Sequence, residues 1–247
     1  MNDFLKLTFS LFKRELLGYF STPIGYVFIT IFLLLAGLFT FYLGNFFEIG
    51  QASLISFFQW HPWLYLFLIP AISMRLWAEE KRTGTIELLT TLPINTFALV
   101  LGKFLSAWLF TFISLILTFP IWLTVNYLGN PDNGVIIASY LGSLLMAGGY
   151  LSIGSCISAC TKNQVIAFII SVTICFLFTL SGLPMVLDFF NIWTGQTVTD
   201  VISSFSFLSN YNDITRGLID VRSLIFFFTL ITAFLTINVF IIEDLKE

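Results

Sequence analysis

Charge is what this chain of 247 residues most lacks. Asp, Glu, Lys and Arg make up 10% of it, against about 25% in a soluble domain, which excludes an ordinary water-soluble globule. Cysteine is also scarce. Of the three, Cys156 and Cys160 lie four residues apart in an apolar stretch, which is neither a disulfide framework nor a four-ligand zinc site. The single histidine, His61, has no second histidine to act with as metal ligand or base, and its neighbours Trp60 and Trp63 place it at an expected membrane boundary. A phosphate-binding loop is missing as well. The one Gly-Lys pair, Gly102 and Lys103, has Phe97 where the first glycine belongs and Phe104 where the magnesium-binding Ser or Thr belongs, so the chain itself is expected to hydrolyse no ATP. No block of like charge points to nucleic acid. The first charged residues flank Phe4 and Leu5, and no small-residue cleavage site ends the first apolar run, so no removable leader is expected.

What the chain has is apolar length. Hydrophobic residues make up 57%, and the mean hydropathy is +0.94. A helix needs about 20 predominantly apolar residues to cross a bilayer. Six stretches qualify: 23–43, 62–76, 97–128, 134–160, 165–187 and 223–242. The third is longer than a membrane is thick, which implies tilt or a projecting end. The runs are continuous and do not alternate, which excludes a strand barrel and predicts an all-helical membrane protein with six transmembrane helices. Apart from Arg75 and Lys103 near span ends, the span interiors contain no ionisable residue. Ion-driven carriers place such groups at membrane depth, so that class is disfavoured.

Orientation follows from Lys and Arg. With the N-terminus inside, Lys6, Lys13, Arg14, Arg75, Lys81, Arg82, Lys103, Lys162 and Lys246 are cytoplasmic and only Arg216 and Arg222 are outside. Both termini are therefore expected in the cytoplasm. Residues 1–22 are too polar to span. Lys6, Ser10, Lys13 and Arg14 share one sector of a helix, with Phe4, Phe9, Phe12, Leu16 and Tyr19 spread around the other side. This predicts an amphipathic helix in the inner membrane interface, touching lipid, before a six-span domain at 23–247.

The one dense polar island is the segment 78–95. Glu79, Glu80, Lys81 and Arg82 extend the second span inward, and Thr83 with Gly84 breaks it. Thr85 can cap a new short helix, Glu87 sits in its first turn where the dipole favours negative charge, and Pro93 stops it. Ile86, Leu88, Leu89 and Leu92 give that helix an apolar side. A short amphipathic helix pointing inward from a membrane bundle offers another protein something to grip. On the other side, the long connection 188–222 carries Val201, Ile202, Phe205 and Leu208 at helical spacing, which fits a helix dipping back into the outer leaflet. Gly142, Ala147, Gly148, Gly149 and Gly154 thin one side of the fourth span for close packing within the bundle.

The run from Glu79 through Leu89, followed by Pro93, resembles the segment after the second span of ABC-2 type permeases, the membrane subunits of ATP-binding-cassette transporters. Further matches are Ser21 to Tyr26, Pro62-Trp63-Leu64, Ile69-Pro70-Ala71 and Arg216 to Asp220. Together they look most like the gliding-motility-type, single-domain subfamily. The resemblance implies a non-hydrolysing permease of the inner membrane, with export favoured and ATP and Mg bound by a separate ABC ATPase subunit. It implies a dimer with a second permease copy or a paralogue. An auxiliary subunit with a large extracytoplasmic domain often accompanies that subfamily. Glu79, Glu80, Lys81, Arg82, Gly84, Thr85, Glu87 and Leu88 would then couple to the ATPase, and Val201, Phe205, Leu208 and Arg216 would form an outer gate. The competing reading is a membrane anchor that transmits ATP-driven motion to an extracytoplasmic assembly without transport. The Phe-rich, uncharged spans are compatible with amphipathic cargo.

Overall fold

A computed structural model describes residues 2–87, 95–217 and 220–245. Among these, every regular element is helical. Helix α1 (Asn2–Ser21) is followed at Pro23, a residue suited to a first helical turn, by α2 (Pro23–Leu38), which continues through a π turn (Phe39–Leu43) to Gly44. Two single-turn helices, α3 (Phe46–Ile49) and α4 (Ile55–Phe58), lead to α5 (His61–Ser73) and α6 (Arg75–Thr83). Then come α7 (Thr96–Ile116), α8 (Phe119–Leu128), α9 (Asn133–Cys160) and α10 (Gln164–Leu180). Helices α11 (Pro184–Thr194), α12 (Gln196–Ser204), α13 (Phe207–Thr215) and α14 (Val221–Asp244) complete the described chain.

Side-chain caps set many of the helix starts. Asn95, Asp132, Asn163, Ser206 and Asp220 each accept from backbone N–H groups of the turn they precede. Those donors have no partner inside a helix.

Among the described residues, four runs are long and apolar enough to cross a membrane: Pro23–Leu43, Thr96–Leu128, Asn133–Cys160 and Val221–Asp244. The predicted span 165–187 does not run through. It stops at Leu180, turns at Ser181 to Leu183, and restarts at Pro184 with a bend of 71°. As one broken span it makes five. The stretch 62–76 forms α5 and the first turn of α6, neither long enough alone to qualify. Where α5 passes into α6 at Met74, the Ser158 hydroxyl of α9 binds the backbone. It accepts from Trp77 N at 3.1 Å and Ala78 N at 3.0 Å and donates to Met74 O at 2.8 Å.

Helix α9 is the centre of the bundle, packed against α5, α6, α7, α10, α13 and α14. Its glycines do not thin a single side. A Cβ on Gly149 would stand 2.6 Å from the Phe207 ring of α13, one on Gly148 3.0 Å from Trp108 of α7, and one on Gly154 1.9 Å from Ser73 Oγ of α5. Small residues let backbones approach where apolar side chains gain nothing by leaving lipid.

Candidate functional site

The polar end of the bundle is organised by Lys103. Its ammonium sits on α7 with only 3% of the side chain exposed. It lies 2.7 Å from Glu80 Oε1 of α6 and 3.3 Å from Glu15 Oε2 of α1, and it stands over the Trp77 ring at 5.2 Å. A buried cation is tolerated only where anions and acceptors compensate it, and here α1 and α6 supply them. Trp77 is itself fully buried, and its Nε1 donates to Ser155 Oγ of α9 at 3.3 Å. Burial works against the Glu15 carboxylate, but Lys103 and then Arg14 outweigh it and hold the carboxyl below its ordinary value.

Helix α1 is clamped to α7 by the same contact and by packing. Leu11 meets the surface left open by Gly102, where an added Cβ would lie 3.1 Å from Leu11 Cβ. Lys6, Ser10, Lys13 and Arg14 are exposed, as are Leu5, Phe9 and Leu17. The helix therefore has a bundle face, an apolar face and a basic face.

The structure divides the sequence-predicted coupling residues into two groups. Glu80 faces inward to Lys103, and Lys81 donates to Ala159 O at the C-terminal end of α9. Burial pulls the Lys81 pKa below its ordinary value, against Cys160, which raises it, and with Lys162, which lowers it further. These two residues position α6. Glu79 pairs with Arg75 at 3.5 Å at a half-exposed site. Arg82, Gly84, Thr85 and Glu87 are exposed. Gly84 has φ +74°, the left-handed conformation that ends α6 and turns the chain. The Thr85 hydroxyl lies 3.0 Å from Thr83 Oγ1 and donates to Glu80 O at 3.4 Å, while Ile86 is buried against the bundle; the capping bond expected of Thr85 involves Leu88 and falls outside the described residues. Leu88, with Leu89, Leu92 and Pro93, lies outside the described residues.

The opposite end holds a cavity of about 670 Å³ between the 52–59 segment, the start of α9 and α13. Phe58, Asp132, Ser139, Tyr211 and Arg216 are among its lining. Of the predicted gate residues only Arg216 lies there. Val201 and Phe205 are exposed and Leu208 is half-buried. The helical spacing of these residues runs across two separate helices. α12 ends at Ser204, and Ser206 caps a separate α13 by accepting from Leu208 N and Ser209 N. The residues that pack inward are Phe207, Tyr211 and Ile214. A serine followed by an amphipathic turn was the available signal. His61 is fully buried within the bundle. No cluster of three metal-ligating side chains occurs among the described residues.

A helical bundle with several apolar runs of membrane length, an ion-paired polar end and an open cavity is a multi-pass membrane protein. The model of the ABC-2 family transporter protein matches residues 63–242, well over half of the chain, so the chain belongs to the ABC-2 transporter family. Comparison with curated proteins gives no match. Membership makes the chain a membrane transport component and implies association with an ABC ATPase.

Proposed function

We propose that the chain is the permease subunit of an ATP-driven transporter of the cytoplasmic membrane, with six spans and both termini in the cytoplasm. Helices α5 and α6 join at Met74 in helical conformation and together extend about 35 Å at 1.5 Å per residue, long enough to serve as the second span. The nine-to-two division of Lys and Arg supports the orientation. A separate ABC ATPase would dock on the exposed turn at Arg82 to Glu87, and ATP-driven closure would displace that turn. A second copy or paralogue would complete the pathway, and export is the direction that the resemblance implies.

The observation that carries this reading is the division at α6. Glu80 and Lys81 lock it to α1, α7 and α9, while Arg82, Gly84, Thr85 and Glu87 stand outside. A force applied to the exposed turn reaches three other helices through buried contacts, as rigid-body gating requires. The test is reconstitution. The purified chain alone should hydrolyse no ATP, and the chain with its ATPase should hydrolyse it at a rate that falls when Gly84 is changed to Val while membrane abundance is unchanged. Turnover by the chain alone, or an unaffected complex, would overturn the assignment.

A further inference from the structure

Beneath the cavity lies a polar site that the coupling reading does not use. His61, at the start of α5, is boxed by the rings of Phe32, Phe57, Phe58 and Tyr65 at centroid distances between 4.5 and 6.2 Å. Its Nδ1 is 2.7 Å from Ser143 Oγ of α9, Ser143 is 3.1 Å from the Tyr211 hydroxyl of α13, and that hydroxyl donates to Phe58 O at 2.9 Å. The chain of bonds is complete at the Phe58 end only. His61 Nε2 is buried without a partner, and so is the Tyr65 hydroxyl one helical turn further on. Both rings pack against Phe32 of α2.

Leaving a buried polar group unsatisfied is unfavourable, and within a bilayer no bulk water relieves it. Two such groups on one turn of the same helix form a pair of open hydrogen-bonding positions. The ring box contains no charged side chain, whereas Asp132 and Arg216 line the cavity. An ionised group entering the box would meet no countercharge, but a hydroxyl or amide would satisfy both orphans. Phe58 and Tyr211 line the cavity and also hold the network behind it, so they form the partition between the two spaces.

The geometry points to a cargo subsite at His61 and Tyr65 for the uncharged, hydroxyl- or amide-bearing head of an amphipathic molecule, entered when the Tyr211 to Phe58 bond opens. That the bound molecule is cargo rests on the permease reading, but the site itself does not.

The single histidine makes the test direct. With ¹⁵N-labelled histidine in phosphatidylcholine nanodiscs, the whole chain gives one imidazole signal pair. Monooleoylglycerol should move Nε2 saturably from a free to a hydrogen-bonded shift. Oleoyl lysophosphatidic acid should not. Tyr65→Phe should weaken the monooleoylglycerol response about tenfold, the loss of one hydrogen bond. A Nε2 already hydrogen-bonded without additive, no response to monooleoylglycerol, or an equal response to the anionic lipid would overturn the proposal. The signal needs no ATPase, so its failure counts against the subsite alone and leaves the permease reading standing.

Discussion

Lys103 Nζ lies 2.7 Å from Glu80 Oε1, which joins the third predicted span to the helix that carries the coupling turn. Removing one partner of a buried pair leaves an uncompensated charge. Lys103→Met leaves Glu15 and Glu80 facing each other and should cost about 3 kcal/mol or more in stability. Lys103→Arg keeps the charge and should cost less. Thermal unfolding in detergent, with limited proteolysis of α1 as a local readout, checks both. Equal stability of Lys103→Met and the natural chain would show that the pair is not a structural joint.

Acidification should act at the same place. Glu15 titrates below its ordinary value of 4.5 in the folded protein because Lys103 and Arg14 favour its charged form over the opposing effect of burial. A depressed folded pKa contributes stability above the unfolded value and loses it as pH falls through the folded value. The attachment of α1 should therefore be insensitive to pH near neutrality, where the full Glu15 contribution is present, and weaken below about pH 4.5. Hydrogen exchange of α1 amides across that range measures it. Glu15→Gln should be weakened already at pH 7 and should lack this acid step.

At Gly84 the backbone effect can be separated from crowding. A Cβ there meets nothing within 4 Å, so any effect of substitution comes from the positive φ. Asn adopts this conformation readily and Val does not, a difference of about 1–2 kcal/mol. Gly84→Asn should keep ATPase co-purification near the natural level and Gly84→Val should reduce it. Equal loss in both variants would mean that the turn does not act through its conformation.

The central helix should tolerate no added bulk at its closest crossing. Gly154→Ala places a methyl group 1.9 Å from Ser73 Oγ and 2.7 Å from Ser73 Cβ, which should cost about 1–3 kcal/mol of overpacking. Ser73→Gly should recover much of it. Unfolding of the single and double variants in the same detergent reads the coupling.

How much of this was legible in the sequence depends on whether the signal was local. Apolar length, the Asn95, Asp132 and Asn163 caps, and the glycine ending α6 are encoded within a few residues and can be read directly. Glu15, Glu80 and Lys103 meet only because α1, α6 and α7 pack together, so the sequence showed three charges at one end of the molecule and not their contact. Glu80 and Lys81 consequently looked like partner-facing residues. Tyr211 was missed for the same reason. Its bonds to Ser143 and to Phe58 O cross 68 and 153 residues of chain.

The central claim is that an ABC ATPase grips the exposed turn after α6. A photoactivatable residue placed at Thr85, which is exposed, tests it in native membranes. Irradiation should join the chain to a protein carrying a phosphate-binding loop, at a yield that depends on nucleotide, while the same probe at Tyr127, 91% exposed beside the opposite end of the bundle, gives no such product. A probe at Thr85 that labels only lipid, or labels an ATPase no better than the probe at Tyr127, would contradict the account.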